Sequence, residues 1–484
     1  MSRMLVGPFN RVEGDLEIAL EIDAGRVTSA NVNSTMYRGF EQILKGKQPM
    51  DALVYTPRIC GICSVSQSVA SAYALADAMQ LGMTPNGERC INLILANENM
   101  ADLLTHFYLF FMPDFARPSY AVQSWYEPVQ ARFRAVSGEA YREVLPARAE
   151  FLHLMGLLAG KWPHSLSIQP GGTAKAVDGH DRLQMMSILA GFRRFLERRL
   201  FGDSLELIGQ LTSVAELQQW AIEKDWHSSD LRTFIHLSQQ LQLDQLGRAT
   251  DQFMSYGNYS LEGERLFRPG VIDGQGQRRP LDSQLITEDI SHAWLAGQTA
   301  PQHPEQGVTQ PALDNVQGYS WCKAPRLDGQ VMETGALARQ LTNGHPLITD
   351  LVARSGGNVQ NRMLARLLEL ALVVPQMERW ARQIQPTEQF CLHGSLPDYA
   401  EGVGMIEAAR GSLGHWLSIR EGKIANYQII APTTWNFSPR DQHGTPGALE
   451  QALQGAPVLE GEKDPVAVQH IVRSFDPCMV CTVH

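Results

Sequence analysis

The 484-residue chain has only seven cysteines, no block of basic residues and no long unbroken apolar run. Each shortage excludes a class. Seven cysteines, an odd number in a chain this long, do not form the disulfide framework of a secreted scaffold. A membrane-spanning helix needs about 20 consecutive apolar residues, and the most apolar stretch, around Leu103 to Phe115, is interrupted by His106 and Asp114. The opening MSRMLVGPFNRVEGDLEI lacks the apolar centre of a secretory signal, so a cytoplasmic protein is expected. With 41 Lys plus Arg against 51 Asp plus Glu, the net charge of −10 leaves no basic footprint for a phosphate backbone. Nucleic acid is therefore not an expected partner. What the chain has is core-forming mass, since 44% of its residues are hydrophobic.

Leu16, Ile18, Leu20 and Ile22 alternate with Glu17, Glu21 and Asp23, which is strand periodicity with one buried face. Asp23-Ala24-Gly25 should turn that strand into a partner at Val27 to Val32. From about Val65 the texture becomes helical: Val65–Met79, Arg89–Phe111, Ala140–Ala159, Gln184–Leu211 and Arg362–Ile384 are rich in good helix formers. Residues 267–318, rich in Gly, Pro and Gln, read as a loop excursion or a weak antiparallel element. Alternation returns at Trp416 to Pro432, with a hairpin turn at Glu421-Gly422. The expected fold is α+β and predominantly helical, a central helical bundle flanked by N-terminal and C-terminal antiparallel β elements.

The cysteines are not scattered evenly. Cys60-Gly61-Ile62-Cys63 and Cys478-Met479-Val480-Cys481 are CxxC pairs near opposite ends of the chain, leaving Cys90, Cys322 and Cys391 without a role. One CxxC turn is weak evidence, since it also serves as a redox dithiol. Two such turns supply four soft ligands of the kind that Zn, Fe–S or nickel sites use. A zinc ribbon places its paired knuckles about 15–20 residues apart, far closer than these. Such a site forms only after the fold has brought the chain ends together, which suits catalytic cargo better than a structural zinc nucleus.

The flanks carry more. Arg58-Ile59-Cys60-Gly61-Ile62-Cys63 and Asp476-Pro477-Cys478-Met479-Val480-Cys481-Thr482-Val483-His484 resemble, in order and position, the two signature motifs of [NiFe]-hydrogenase large subunits. Family-like blocks lie between them: Arg11-Val12-Glu13-Gly14, Arg38-Gly39-Phe40-Glu41, Pro163-His164 followed by Gly171-Gly172, Glu407 to Gly411, Gly414-His415-Trp416 and Pro432 to Asn436. The resemblance runs nearly end to end. It implies one domain over 1–484, with an N-terminal hairpin at about 10–35, a helical core at about 64–385 and a C-terminal active-site region at about 390–484.

The resemblance also implies a site. Nickel takes all four thiolates, with Cys60 and Cys478 terminal and Cys63 and Cys481 bridging to an iron that carries carbon monoxide and cyanide. Soft thiolates suit both metals. Glu13 would take the proton released when H2 is split, Arg410 would hang over the open metal position, and Asp102 and Asp476 would orient it. Ala409 precedes that arginine, and Thr433 would hydrogen-bond an iron-bound cyanide. A second site of Mg²⁺ or Fe²⁺ would use Glu41, His484 and a backbone carbonyl near Ile430. The family trims a C-terminal extension after this histidine, which implies maturation machinery and an endopeptidase as partners. Three remaining cysteines cannot build an electron relay, so an Fe–S small subunit is implied as partner in a heterodimer or a dimer of heterodimers.

Departures from the family pattern sharpen the expectation. Gln67 stands where typical members have His, Ala409 where they have Pro, and Ile62 and Phe110 where smaller Val and Leu line the gas path. These features resemble the H2-sensing, regulatory branch, which implies slow H2 oxidation reported to a signalling partner such as a histidine kinase. The alternative is an energy-conserving respiratory uptake enzyme. The bland reading of Ile62 and Phe110 is ordinary core packing.

Overall fold

The computed structural model describes residues 2–482. It opens with a three-stranded antiparallel sheet of β1 (Ser2–Val6), β2 (Leu16–Asp23) and β3 (Arg26–Ser34). The β2–β3 turn is the expected one: Asp23 pairs with Arg26, and Ala24 and Gly25 both take positive φ, as a two-residue hairpin requires. The sequence pattern does not reveal β1, an edge strand with mostly exposed residues and therefore no buried alternation.

Helices follow: α1 (Ser64–Ala78), α2 (Pro85–Thr105), α3 (Glu139–Ala159), α4 (Gly179–Phe195), α5 (Ala336–Asn343) and α6 (Val359–Gln383). α2, α3, α4 and α6 pack in a ring, each against two of the others, which makes the expected helical bundle. Two expected helix ends move. The Arg89–Phe111 run is α-helical only to Thr105 and widens into a π-helical turn at His106–Phe111. The Gln184–Leu211 run breaks at Gly202, whose φ of 70° ends the helix, before a short helix at Leu205–Gly209.

Residues 253–327 form short antiparallel pairs, with Gly270–Ile272 between Phe253–Ser255 and Arg278–Arg279, and Ile286–Asp289 against Ala324–Leu327. The weak antiparallel reading of 267–318 describes this segment correctly.

A second three-stranded sheet, β4 (Ala400–Ala408), β5 (Gly411–Arg420) and β6 (Lys423–Ile430), lies against α1. Glu421-Gly422 makes the β5–β6 turn. β4 is hidden in the sequence because Gly402 and Gly404 interrupt its apolar alternation. Their purpose is contact. A Cβ on Gly404 would sit 1.9 Å from the Ala70 carbonyl oxygen, and one on Gly402 2.1 Å from that of Ala74. The helix after Cys63 therefore lies backbone to backbone on the strand that leads to Arg410. The last helix, α7 (Val466–Phe475), runs into the second CxxC pair.

Gly404→Ala is expected to cost about 1–3 kcal/mol through overpacking against Ala70. Gly156→Ala, at an exposed position in the last turn of α3 with nothing within 4 Å of the new methyl, is expected to gain up to about 1 kcal/mol. Thermal unfolding of the two variants beside the unmodified protein checks both signs.

Candidate metal centre

Cys60, Cys63, Cys478 and Cys481 converge with all four sulfurs within 4.8 Å of one another, and all four are buried. Cys60 Sγ lies 3.4 Å from Cys478 Sγ, Cys63 Sγ 3.2 Å from Cys481 Sγ, and the two C-terminal sulfurs are 3.0 Å apart. These separations are non-bonded, so no two of the four are joined in a disulfide. Among the described residues no other set of three or more His, Cys, Asp or Glu side chains gathers in this way.

Each turn is held by its own neighbourhood. The Arg38 guanidinium donates to the carbonyls of Arg58 and Ile59, just before Cys60. The backbone N–H of Ile62 donates to Cys60 Sγ at 3.3 Å. At the other end, Met479 N–H donates to the Glu13 carbonyl at 2.7 Å, and Glu13 pairs with Cys478 as a parallel bridge. Gly14 has a φ of 78°, and a Cβ there would stand 3.0 Å from Val480.

Four thiols in one buried space cannot ionise independently. Hydrogen bonds from Cys478, Cys481 and Cys63, with help from Arg410, hold the Cys60 thiol well below its usual range, while Cys63 and Cys481 are pushed well above theirs. The four therefore titrate as a set and not as separate thiols. That donor set, soft, buried, close and unoxidised, fits a thiophilic metal.

Arg410 hangs beside the thiols and is itself buried. Its Nη1 stands 2.8 Å from Asp102 Oδ2, its Nε donates to the Asp476 carbonyl at 3.1 Å, and its Nη2 lies 3.4 Å from Asp476 Oδ1. Burial pushes the Asp102 carboxyl up to about 7 against the pull of Arg410, while Asp476 is held below its usual range by Arg410, His106 and Arg366 despite its burial. Glu13 is half-buried, and its carboxyl is raised by burial and by Cys60 against Arg410 and Arg38. Thr433 Oγ1 accepts the Cys478 N–H at 3.2 Å, leaving its own proton to donate. Glu13, Asp102, Ala409, Arg410, Thr433 and Asp476 are thus assembled with the four cysteines.

Glu41 lies elsewhere. Its Oε1 accepts the Ile429 N–H at 2.8 Å, which brings it beside Ile430, and its Oε2 accepts from Thr309 with Lys323 Nζ 3.6 Å away. A cavity of about 10 Å³ there is bordered by Glu288 and Thr482, enough for about one water or small ion. His484, expected to complete this second site, lies outside the described residues. Ile62 and Phe110 are both half-buried, with Phe110 in the π-helical turn and its carbonyl accepting from Arg11 at 2.6 Å. Gln67 is buried, its Oε1 2.8 Å from His415 Nε2, and His415 Nδ1 is 2.8 Å from the Tyr427 hydroxyl.

Sequence reasoning missed Arg339. From α5 it pairs with Glu369 and Glu407 at 2.9 Å and donates to the carbonyls of Ala408 and Ala409 at 2.8 and 3.0 Å. It pins the turn that aims Arg410. A signal was present in Glu407, an acid standing inside the family-like block, but Arg339 lies 68 positions from it, beyond any local pattern.

Four buried thiols gathered beside a buried arginine define a metalloprotein with a centre for a thiophilic metal. The family model for nickel-dependent hydrogenase matches residues 38–133 and 120–484, and the chain belongs to that family. It is therefore an oxidoreductase acting on H2. The periplasmic [NiFeSe] hydrogenase large subunit of Desulfomicrobium baculatum is 30% identical over 519 residues, covering 100% of this chain and 95% of that protein. The Hydrogenase-2 large chain of Escherichia coli is 27% identical, covering 100% and 97%. Among solved structures, the Ni-Fe-Se hydrogenase of D. vulgaris Hildenborough in the reduced state superposes with a TM-score of 0.86 at 28% identity, each chain fully covered.

Replacing Cys478 by Ser substitutes a hard oxygen for one of four soft donors. The purified variant is expected to lose its nickel almost completely, as elemental analysis would read.

Proposed function

We propose that this chain is the active-site subunit of a [NiFe]-hydrogenase and that its physiological role is H2 sensing. The observation that carries the reading is the convergence of the four thiols beneath Arg410. In this reading Cys60, Cys63, Cys478 and Cys481 would hold nickel, and Cys63 and Cys481 would also hold an iron carrying carbon monoxide and cyanide. The bound metals supply the Lewis-acid and redox chemistry that makes H2 acidic.

The chain's own residues do the rest. Arg410, fixed by Asp102 and Asp476, places a permanent positive charge over the centre at a site that excludes water. The Thr433 hydroxyl is free to donate to a cyanide. Glu13, tied to Cys478 through the backbone bridge, accepts the proton from the Cys478 sulfur and passes it outward. Electrons leave through an Fe–S small subunit. Support for that partner is that Cys322 and Cys391 donate to the Lys323 and Leu392 carbonyls, each at 3.2 Å, and Cys90 stands apart from the centre, so no relay forms among the described residues. Glu41 and the Ile430 carbonyl, with His484, would hold Mg²⁺ or Fe²⁺.

The sensing role rests on Ile62 and Phe110 narrowing the gas path, with a histidine kinase as the partner that reads the signal. The second reading, an energy-conserving uptake enzyme, is favoured by the names of similar proteins, among them the uptake hydrogenase large subunit of Azotobacter chroococcum at 28% identity. The two separate in the cell. Deleting the gene should abolish H2-dependent gene expression if it senses, and growth on H2 alone if it feeds a respiratory chain.

Infrared spectra of the purified enzyme are expected to show carbon monoxide and cyanide bands, and a spectrum without them would refute the nickel–iron assignment. Glu13→Gln should keep those bands while lowering H2 oxidation about 100-fold or more, the usual loss when a proton-transfer group is removed. Ile62→Val with Phe110→Leu should make H2 oxidation oxygen-sensitive; activity that persists under oxygen counts against the narrow-channel reading.

A further inference from the structure

Cys63 occupies the N-cap position of α1, where a side chain normally accepts the free N–H groups of the first turn. It makes no such bond. Its sulfur is turned to the other thiols, 3.2 Å from Cys481 Sγ. The first turn is capped from another helix instead. Glu98, buried on α2, accepts the N–H of Val65 at 2.8 Å on Oε2 and that of Ser66 at 2.9 Å on Oε1. These are the two donors that an N-cap side chain serves. The Ser66 and Ser64 hydroxyls donate to the same carboxylate at 3.0 and 3.4 Å, and the Trp162 indole N–H at 2.9 Å. The five donors and the α1 dipole favour the Glu98 anion against its burial, which pushes the carboxyl up to about 7.

Glu98 also stands one helical turn before Asp102 on the same helix. Asp102 fixes Arg410. One rigid segment of α2 therefore grips the helix that carries Cys63 with one carboxylate and the arginine over the centre with the next.

We propose that Glu98 is a positioning residue of the metal centre: it caps α1 in place of Cys63, frees that thiol for the metals, and locks the spacing between Cys63 and Arg410. The inference rests on the reading that Cys63 is a metal ligand. It concerns the placing of that sulfur; Glu98 itself touches neither the thiols nor the arginine.

The test uses the assembled enzyme at pH 8. Glu98→Gln keeps the shape but turns an amide NH2 toward one pair of donors, so half of the cap is lost. Glu98→Asp keeps the charge and withdraws it by one methylene. Leu189→Ala, in the buried face of α4, serves as a control that destabilises without touching α1. Glu98→Gln is expected to displace the infrared carbon monoxide and cyanide bands and to lower kcat about 10- to 100-fold with KM for H2 little changed, as a small misplacement of reacting groups does. Glu98→Asp should recover part of both. Leu189→Ala should lower Tm and leave the bands in place. Bands and kcat of Glu98→Gln equal to those of the unmodified enzyme, or displaced equally by Leu189→Ala, would overturn the proposal. If Glu98→Gln does not assemble, Glu98→Asp decides by the same bands, with displacement supporting it and identity overturning it. Absence of the bands in the unmodified enzyme would instead remove the metal reading on which the proposal stands.

Discussion

Two CxxC turns must occupy one buried space although their first cysteines are 418 positions apart. That requirement organises the molecule. Closing so long a loop carries an entropic cost that grows only slowly with length, but the ends must be presented rigidly, and neither CxxC turn can do this alone. The N-terminal turn is clamped by Arg38 and continues into α1, which lies flat on β4. The C-terminal turn is stitched to Glu13 by backbone pairing. Both turns are thus built into one scaffold.

Around the thiols the molecule buries an unusual density of charge. Removing a carboxylate or guanidinium from water is costly unless each is paired and hydrogen-bonded. Arg339 with Glu369 and Glu407, Arg362 with Glu333, and Arg473 with Asp114 meet that condition at 2.7 to 2.9 Å. These pairs do not increase stability much over a well-packed apolar core. Some of them give direction instead. Arg339 aims the Ala408–Arg410 turn, and Asp102 with Asp476 aims the arginine itself.

Much of this was legible in the sequence, for identifiable reasons. The long helices announce themselves by composition, and the two hairpins by Ala24-Gly25 and Glu421-Gly422. That Cys60, Cys63, Cys478 and Cys481 gather with Glu13, Arg410, Asp102, Asp476 and Thr433 was legible because the motifs that carry them resemble those of a known family. β1 was not, since an exposed edge strand has no buried face to show. β4 was not, since its two glycines serve a neighbour rather than the strand. Glu98 was not legible, because its five donors come from residues 64 to 66 and 162, which no period along the chain connects.

The contact between α1 and β4 has a further consequence. Where helix and strand meet through side chains, a ligand can shift as those side chains change rotamer. Here backbone meets backbone at Gly402 and Gly404, with no compliant layer between them. A sulfur carried on such a bearing moves little when the charge beside it changes. Small displacement keeps reorganisation energy low, so electrons can leave without waiting for the protein to rearrange.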